Sequence, residues 1–79
     1  MKNYFVYALR SKKDGFLYIG MSFDVQKKLD QHNAGKTSSN RSRIPFEVFY
    51  TREFQTRGEA REFEKYLKSG VGREFLKSL

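Results

Sequence analysis

The chain opens with an apolar run: "NYFVYALRS" (3–11) is aromatic and β-branched enough to predict a strand. "KKDG" breaks it with turn residues, and Gly15 is free to take a positive φ. "FLYIG" (16–20) is apolar again, so the first twenty residues predict a β-hairpin. With Ser11 to Asp14 as its loop, Tyr7 and Tyr18 are expected to stand opposite each other on one face. The apolar period then lengthens. Val25, Leu29 and His32 mark one stripe of a helix from about Asp24 to Asn33, capped by Ser22 or Asp24, with Gly35 in the left-handed position after its end. "GKTSSNRSRIP" is polar and basic, ends at the sole proline, and reads as a mobile loop suited to phosphate contacts. "FEVFYTREF" (46–54) predicts a third strand. Thr56 followed by Glu59 forms a capping box for a second helix that runs to about Ser69 and stops at Gly70. A short last helix, "GREFLKSL", is expected to fold Phe75, Leu76 and Leu79 onto the core. With no repeat or linker, residues 1–79 form a single α/β domain of order β-β-α-β-α-α, built on a small, mostly antiparallel three-stranded sheet flanked by helices.

Two charges interrupt these stripes. Lys28 falls three residues after Val25 and four before His32, on the face of the first helix that should meet the core. Glu64 shares a stripe with Ala60, Phe63 and Leu67 on the second helix. A buried carboxylate requires a cation, a metal or a route to water. An ion pair of Glu64 with Lys68 or Lys28, and a Lys28 stem with a wet ammonium, would satisfy both positions without any chemistry.

Composition narrows the classes. Seventy-nine residues support one small core, and the absence of cysteine excludes disulfides and thiolate zinc sites. Eight Phe and five Tyr must supply most of the large apolar surface. Residues 1–46 hold nine Lys or Arg and three Asp, against seven basic and six acidic residues in 47–79, so the first part carries +6 of the net +7. Such asymmetry points to a polyanion partner, most often nucleic acid. No apolar run after Lys2 and Asn3 reads as a signal peptide and no segment reaches membrane-spanning length, so a cytoplasmic protein is expected.

Each candidate has an ordinary structural use: Tyr7 and Tyr18 as strand residues, His32 as a packed or surface histidine. Together, Tyr7, Tyr18, Lys28, His32 and Glu64 form a set able to cleave a phosphodiester. One carboxylate holds a Mg²⁺ that keeps most of its waters. Cationic groups offset charge in the transition state, and a tyrosine or His32 takes a proton from water.

At these residues the sequence resembles the GIY-YIG nuclease family. "FVY" (5–7) stands at the GIY element and "YIG" (18–20) matches the second, with the tyrosines eleven residues apart. "DVQKKLDQHNAG" resembles the family's helical motif, and "EAREFEKYLKSGVGREFL" the helix that carries its metal-binding glutamate, which maps to Glu64. The resemblance covers nearly the whole chain and is closest to small stand-alone bacterial members. It implies a three-stranded sheet flanked by helices, and Mg²⁺-dependent (or Mn²⁺-dependent) endonucleolytic hydrolysis of DNA. Tyr7 and Tyr18 would line the site, Glu64 would bind the metal, and His32 would act as base or phosphate contact. Lys27, Lys36, Arg41 and Arg43 are the candidate nucleic-acid contacts, and a protein partner is a possible source of specificity.

The chain departs from the family pattern at two positions. Phe5 replaces the glycine of the first element, which bears little on chemistry. Lys28 replaces the arginine that usually holds the scissile phosphate, and so keeps the charge but loses the two-pronged donor geometry. The alternative reading is therefore a nucleic-acid-binding module, weak or inactive as a catalyst, on the nuclease fold. A protein-interaction domain docking through its aromatic surface is the third.

Overall fold

The computed structural model describes residues 3–36 and 38–79. Its elements are β1 (Tyr4–Ser11), β2 (Leu17–Ser22), α1 (Val25–Asn33), a 3₁₀ turn (Ser38–Arg43), β3 (Phe46–Phe54), α2 (Arg57–Lys68) and α3 (Gly70–Lys77). The sheet order is β2-β1-β3, antiparallel throughout.

β1 lies at the centre, and that position explains its composition. Val6, Tyr7, Ala8 and Leu9 are all buried because both faces of the strand are covered. Val6 and Ala8, with Ile19, pack against Ala60, Leu67 and Leu76 of α2 and α3. Tyr7 and Leu9 turn the other way and, with Phe46, meet Val25 and Leu29 of α1. A bulge between Ala8 and Leu9 pairs Ala8 with Tyr50 and Leu9 with Val48. The extra residue lets Phe49 and Tyr50, neighbours in sequence, both pack toward the α2–α3 side.

The hairpin register differs from the expected one. Tyr7 faces Gly20, and Tyr18 faces Leu9. The loop is longer than Ser11 to Asp14: Arg10 pairs with Leu17, and the Ser11 N–H donates to the Phe16 carbonyl at 2.8 Å. Ser11 Oγ organises that loop, accepting from the Lys13 and Asp14 N–H groups and donating to the Arg43 carbonyl. Relative to the expected pairing the offset is two residues. Strand side chains alternate with a period of two, so both tyrosines stay on one face, diagonal rather than opposite.

The basic stretch after α1 also differs from expectation. Instead of a free loop it contains the 3₁₀ turn, with Asn40 buried. Arg41 Nε donates to the Gly35 carbonyl at 2.9 Å. Arg43 pairs with Asp14 at 2.8 Å, and its guanidinium lies 4.0 Å from the centre of the Phe16 ring. Thr37 lies outside the described residues.

Helix ends follow the sequence signals closely. Asp24 caps α1 by accepting from the Lys27 N–H, and Gly35 has φ 79° just beyond its end. Thr56 Oγ1 accepts from the Glu59 N–H and its hydroxyl donates to Glu59 Oε1, so the Thr–Glu pair caps α2 through the two side chains and one backbone N–H. Gly72 is buried where α3 turns back over α2. A β-carbon there would run into the Tyr66 carbonyl, so only glycine permits this approach. Leu76 is fully buried and Phe75 packs beside it, but Leu79 is 59 % exposed, contrary to expectation. The helix has closed at Ser78, whose N–H returns to the Glu74 and Phe75 carbonyls, and the chain leaves the core at that point.

Candidate active site

The candidate tyrosines and His32 lie on the α1 side of the sheet, and the candidate carboxylate comes from α2, which packs on the other face. Tyr7 projects from the central strand with 2 % exposure, and its ring lies across Gly20 of the edge strand, in the space a β-carbon at position 20 would fill. The glycine of "YIG" therefore makes room for the first tyrosine. Tyr18 stands diagonally from it, with ring centroids 6.5 Å apart.

α1 brings His32 onto this surface. Its ring centroid lies 4.4 Å from that of Tyr18 and 5.6 Å from that of Phe46, and the residue is 5 % exposed. Nδ1 is 3.0 Å from the Lys28 carbonyl. A carbonyl only accepts, so Nδ1 is the donor in this contact. Nε2 is buried and has no partner among the described residues. An unpaired buried polar atom is costly in a purely structural residue and useful in a functional one. Asn33, next in sequence, holds α1 in place: its side chain donates to the Phe46 carbonyl and accepts from the Phe46 N–H at 3.1 and 2.7 Å.

α2 supplies the carboxylate. The Glu64 side chain is 20 % exposed, and its Oε2 is 3.4 Å from Lys68 Nζ. Burial pushes the Tyr7 hydroxyl up to about 12, and the charges of Tyr18 and Glu64 add to the shift. Tyr7 is therefore firmly protonated at neutral pH.

Lys28 is half-buried, as its place on the stripe predicts, and no ion pair joins it to Glu64 among the described residues. The sequence alternatives for Glu64 resolve in favour of Lys68. Lys27 and Lys36 are exposed, whereas Arg41 and Arg43 are engaged in the internal contacts described above. Asn33 is not marked by periodicity or charge. Its signal is an amide at the end of a helix, just ahead of the glycine that terminates it.

No group of three or more His, Cys, Asp or Glu is gathered to hold a metal among the described residues. A caged cation is thus not provided for. A hard cation that retains its waters needs less: one half-buried carboxylate suffices, and the oxygen donors at hand suit Mg²⁺ or Mn²⁺ rather than a soft metal. Glu64 fits that requirement.

An antiparallel three-stranded sheet, a tyrosine on its central strand, a second on its edge strand and a carboxylate from a later helix define a small nuclease-type domain. The family model described as the GIY-YIG catalytic domain matches residues 3–75, and the chain belongs to that family. Among curated proteins it is similar to a UPF0213 protein of Bacillus pumilus, 40 % identical over 68 residues that cover 85 % of this chain and 68 % of that one. A UPF0213 protein of Staphylococcus saprophyticus is 31 % identical over 78 residues, covering 98 % and 94 %. The solution NMR structure of a UPF0213 protein from Bacillus halodurans superposes with a TM-score of 0.58 at 35 % identity, covering 96 % of this chain and 83 % of that one. GIY-YIG domains generally use a divalent metal. No helix among the described residues is long and apolar enough to cross a membrane.

Proposed function

We propose that this chain is a divalent-metal-dependent endonuclease that hydrolyses DNA phosphodiester bonds. The observation that supports the reading is the cluster of Tyr7, Tyr18 and His32 on one face of the sheet, with the Glu64 charge acting on the Tyr7 hydroxyl from α2. Glu64 would hold Mg²⁺ or Mn²⁺, which when bound offsets charge on the phosphate and acidifies a water. The chain's own groups do the rest. Tyr7, protonated at neutral pH, donates a hydrogen bond to a phosphate oxygen. His32, packed against the Tyr18 ring, is the candidate base or phosphate contact. Lys28 opposes the phosphate charge as a point cation, without the forked geometry of arginine. Lys27 and Lys36 contact the backbone on either side, with Arg41 and Arg43 available only by releasing their present partners. So small a domain has little surface for reading sequence, which favours a protein partner as the source of specificity.

The test is metal-dependent cleavage of single-stranded, duplex and branched DNA by wild type, Lys28→Arg and Glu64→Ala. Cleavage by wild type that disappears in Glu64→Ala is expected. The second reading, a binding module without cleavage, is favoured by the Lys68 ammonium already beside Glu64. Wild type silent in every substrate and metal, with Lys28→Arg active, would establish that reading instead.

A further inference from the structure

A second surface borders this site and has no part in the chemistry just described. Phe23, in the bend between β2 and α1, is 49 % exposed. The bend does not need an aromatic residue: Asp24 caps α1, and Ser22 Oγ accepts from the Asp24 N–H at 3.0 Å, so the turn forms whatever occupies position 23. The Phe23 ring stacks on Tyr4 with centroids 4.6 Å apart at an interplanar angle of 38°. Tyr4, Met21, Ser22, Phe23 and Arg57 line a shallow recess of about 340 Å³.

This recess is linked to the candidate active site through α2. Tyr4 and Met21 pack on the α2–α3 face of the sheet, opposite the face that carries Tyr7 and Tyr18. On α2, Arg57 precedes Glu64 by seven residues, two turns along the same face and about 10 Å away. An open aromatic platform beside a guanidinium, on a chain of net charge +7, is complementary to a flat ring attached to an anion.

We propose that the recess of Tyr4, Phe23 and Arg57 is a stacking subsite for one unstacked base of a nucleic-acid strand lying across the site, with Phe23 as the platform and Arg57 on the neighbouring phosphate. The proposal rests on the nucleic-acid reading above and adds to it a contact with the base. Every base has a π-face, so the subsite favours the presence of a base over its identity.

The experiment compares a 12-nucleotide mixed-sequence DNA strand with a strand of equal length made of abasic spacers. Binding is measured by fluorescence anisotropy in EDTA, so that nothing is cut. Wild type is expected to bind the normal strand about 5- to 100-fold more tightly, and Phe23→Ala to lose that preference. The chain has no tryptophan, so Phe23→Trp places a single tryptophan on the platform, excited at wavelengths the tyrosines do not absorb. It is expected to keep the preference and to be quenched by the normal strand but not by the abasic one. Equal affinity of wild type for both strands, or unquenched emission in the bound state, would overturn the subsite. If wild type still cleaves DNA in Mg²⁺, the nuclease reading survives that result. Base-dependent binding without cleavage would instead uphold the subsite and overturn the nuclease reading. Failure to bind any strand at low salt would overturn both.

Discussion

The Tyr7 ring occupies the place where a β-carbon on Gly20 would stand. The two residues are register partners on adjacent strands, so neither can move away without disturbing the pairing of β1 with β2. Gly20→Ala is expected to push the Tyr7 hydroxyl out of position, costing about 1–3 kcal/mol of stability. Cleavage should fall far more than the fraction unfolded at the assay temperature explains. A denaturation curve and a cleavage assay on the same preparation check this, and an active Gly20→Ala protein would show that Tyr7 need not sit where it does.

Tyr7 should be the last tyrosine to ionise in an alkaline titration followed by ultraviolet absorbance. Its pKa lies at about 12 in the folded protein and near 10 in the unfolded chain. The folded state therefore holds a proton that the unfolded state has released. The stability this represents is fully present below pH 10 and is lost as pH rises toward 12. Tyr7→Phe should show a shallower fall in melting temperature across that window. Glu64→Gln should lower the Tyr7 pKa by removing a nearby negative charge.

Mg²⁺ should stabilise the folded protein through Glu64. At five times Kd the mass-action gain is about 1 kcal/mol. For a domain of this size that corresponds to a rise in Tm of about 4–8 °C. Glu64→Gln should abolish the rise, and Lys68→Gln should bring it in at lower Mg²⁺ by removing the competing ammonium 3.4 Å away. A Tm independent of Mg²⁺ in both wild type and Lys68→Gln would identify Glu64 as an ion-pair residue only.

Asn33→Ala should destabilise the domain by about 1–3 kcal/mol, since it leaves both backbone groups of the buried Phe46 without their side-chain partner. His32 follows α1, so cleavage should weaken as well. Urea denaturation gives the first quantity. A loss of activity with unchanged stability would mean that Asn33 touches the substrate instead.

Most of the fold was legible because local signals agreed with the tertiary outcome. The order of elements, the Asp24 and Thr56 caps and the positive φ of Gly15 and Gly35 all rest on neighbours in sequence. Register was not legible in the same way. Ser11 Oγ takes two loop N–H groups and gives its own proton to Arg43, so a residue 32 positions away helps set the hairpin's length. The same distant partnership, with Asp14 and Phe16, draws Arg43 out of the free loop the sequence implied. At the site, periodicity placed Glu64 and Lys28 on inward stripes but could not choose between Lys68 and Lys28 as the partner of Glu64. That choice depends on how α1 and α2 sit on opposite faces of the sheet. The Phe23 platform carries no sequence signal, because exposure, not pattern, makes it unusual.

The central place of β1 has a consequence for the newly made protein. The hairpin and α1 deliver Tyr7, Tyr18 and His32 from the first 33 residues, all close in sequence. Glu64 arrives only after β3 has zipped onto the free edge of β1 and α2 has folded back behind it. On the proposed chemistry, a chain still emerging from the ribosome has its tyrosines and histidine but no carboxylate beside them. Only the finished molecule is armed.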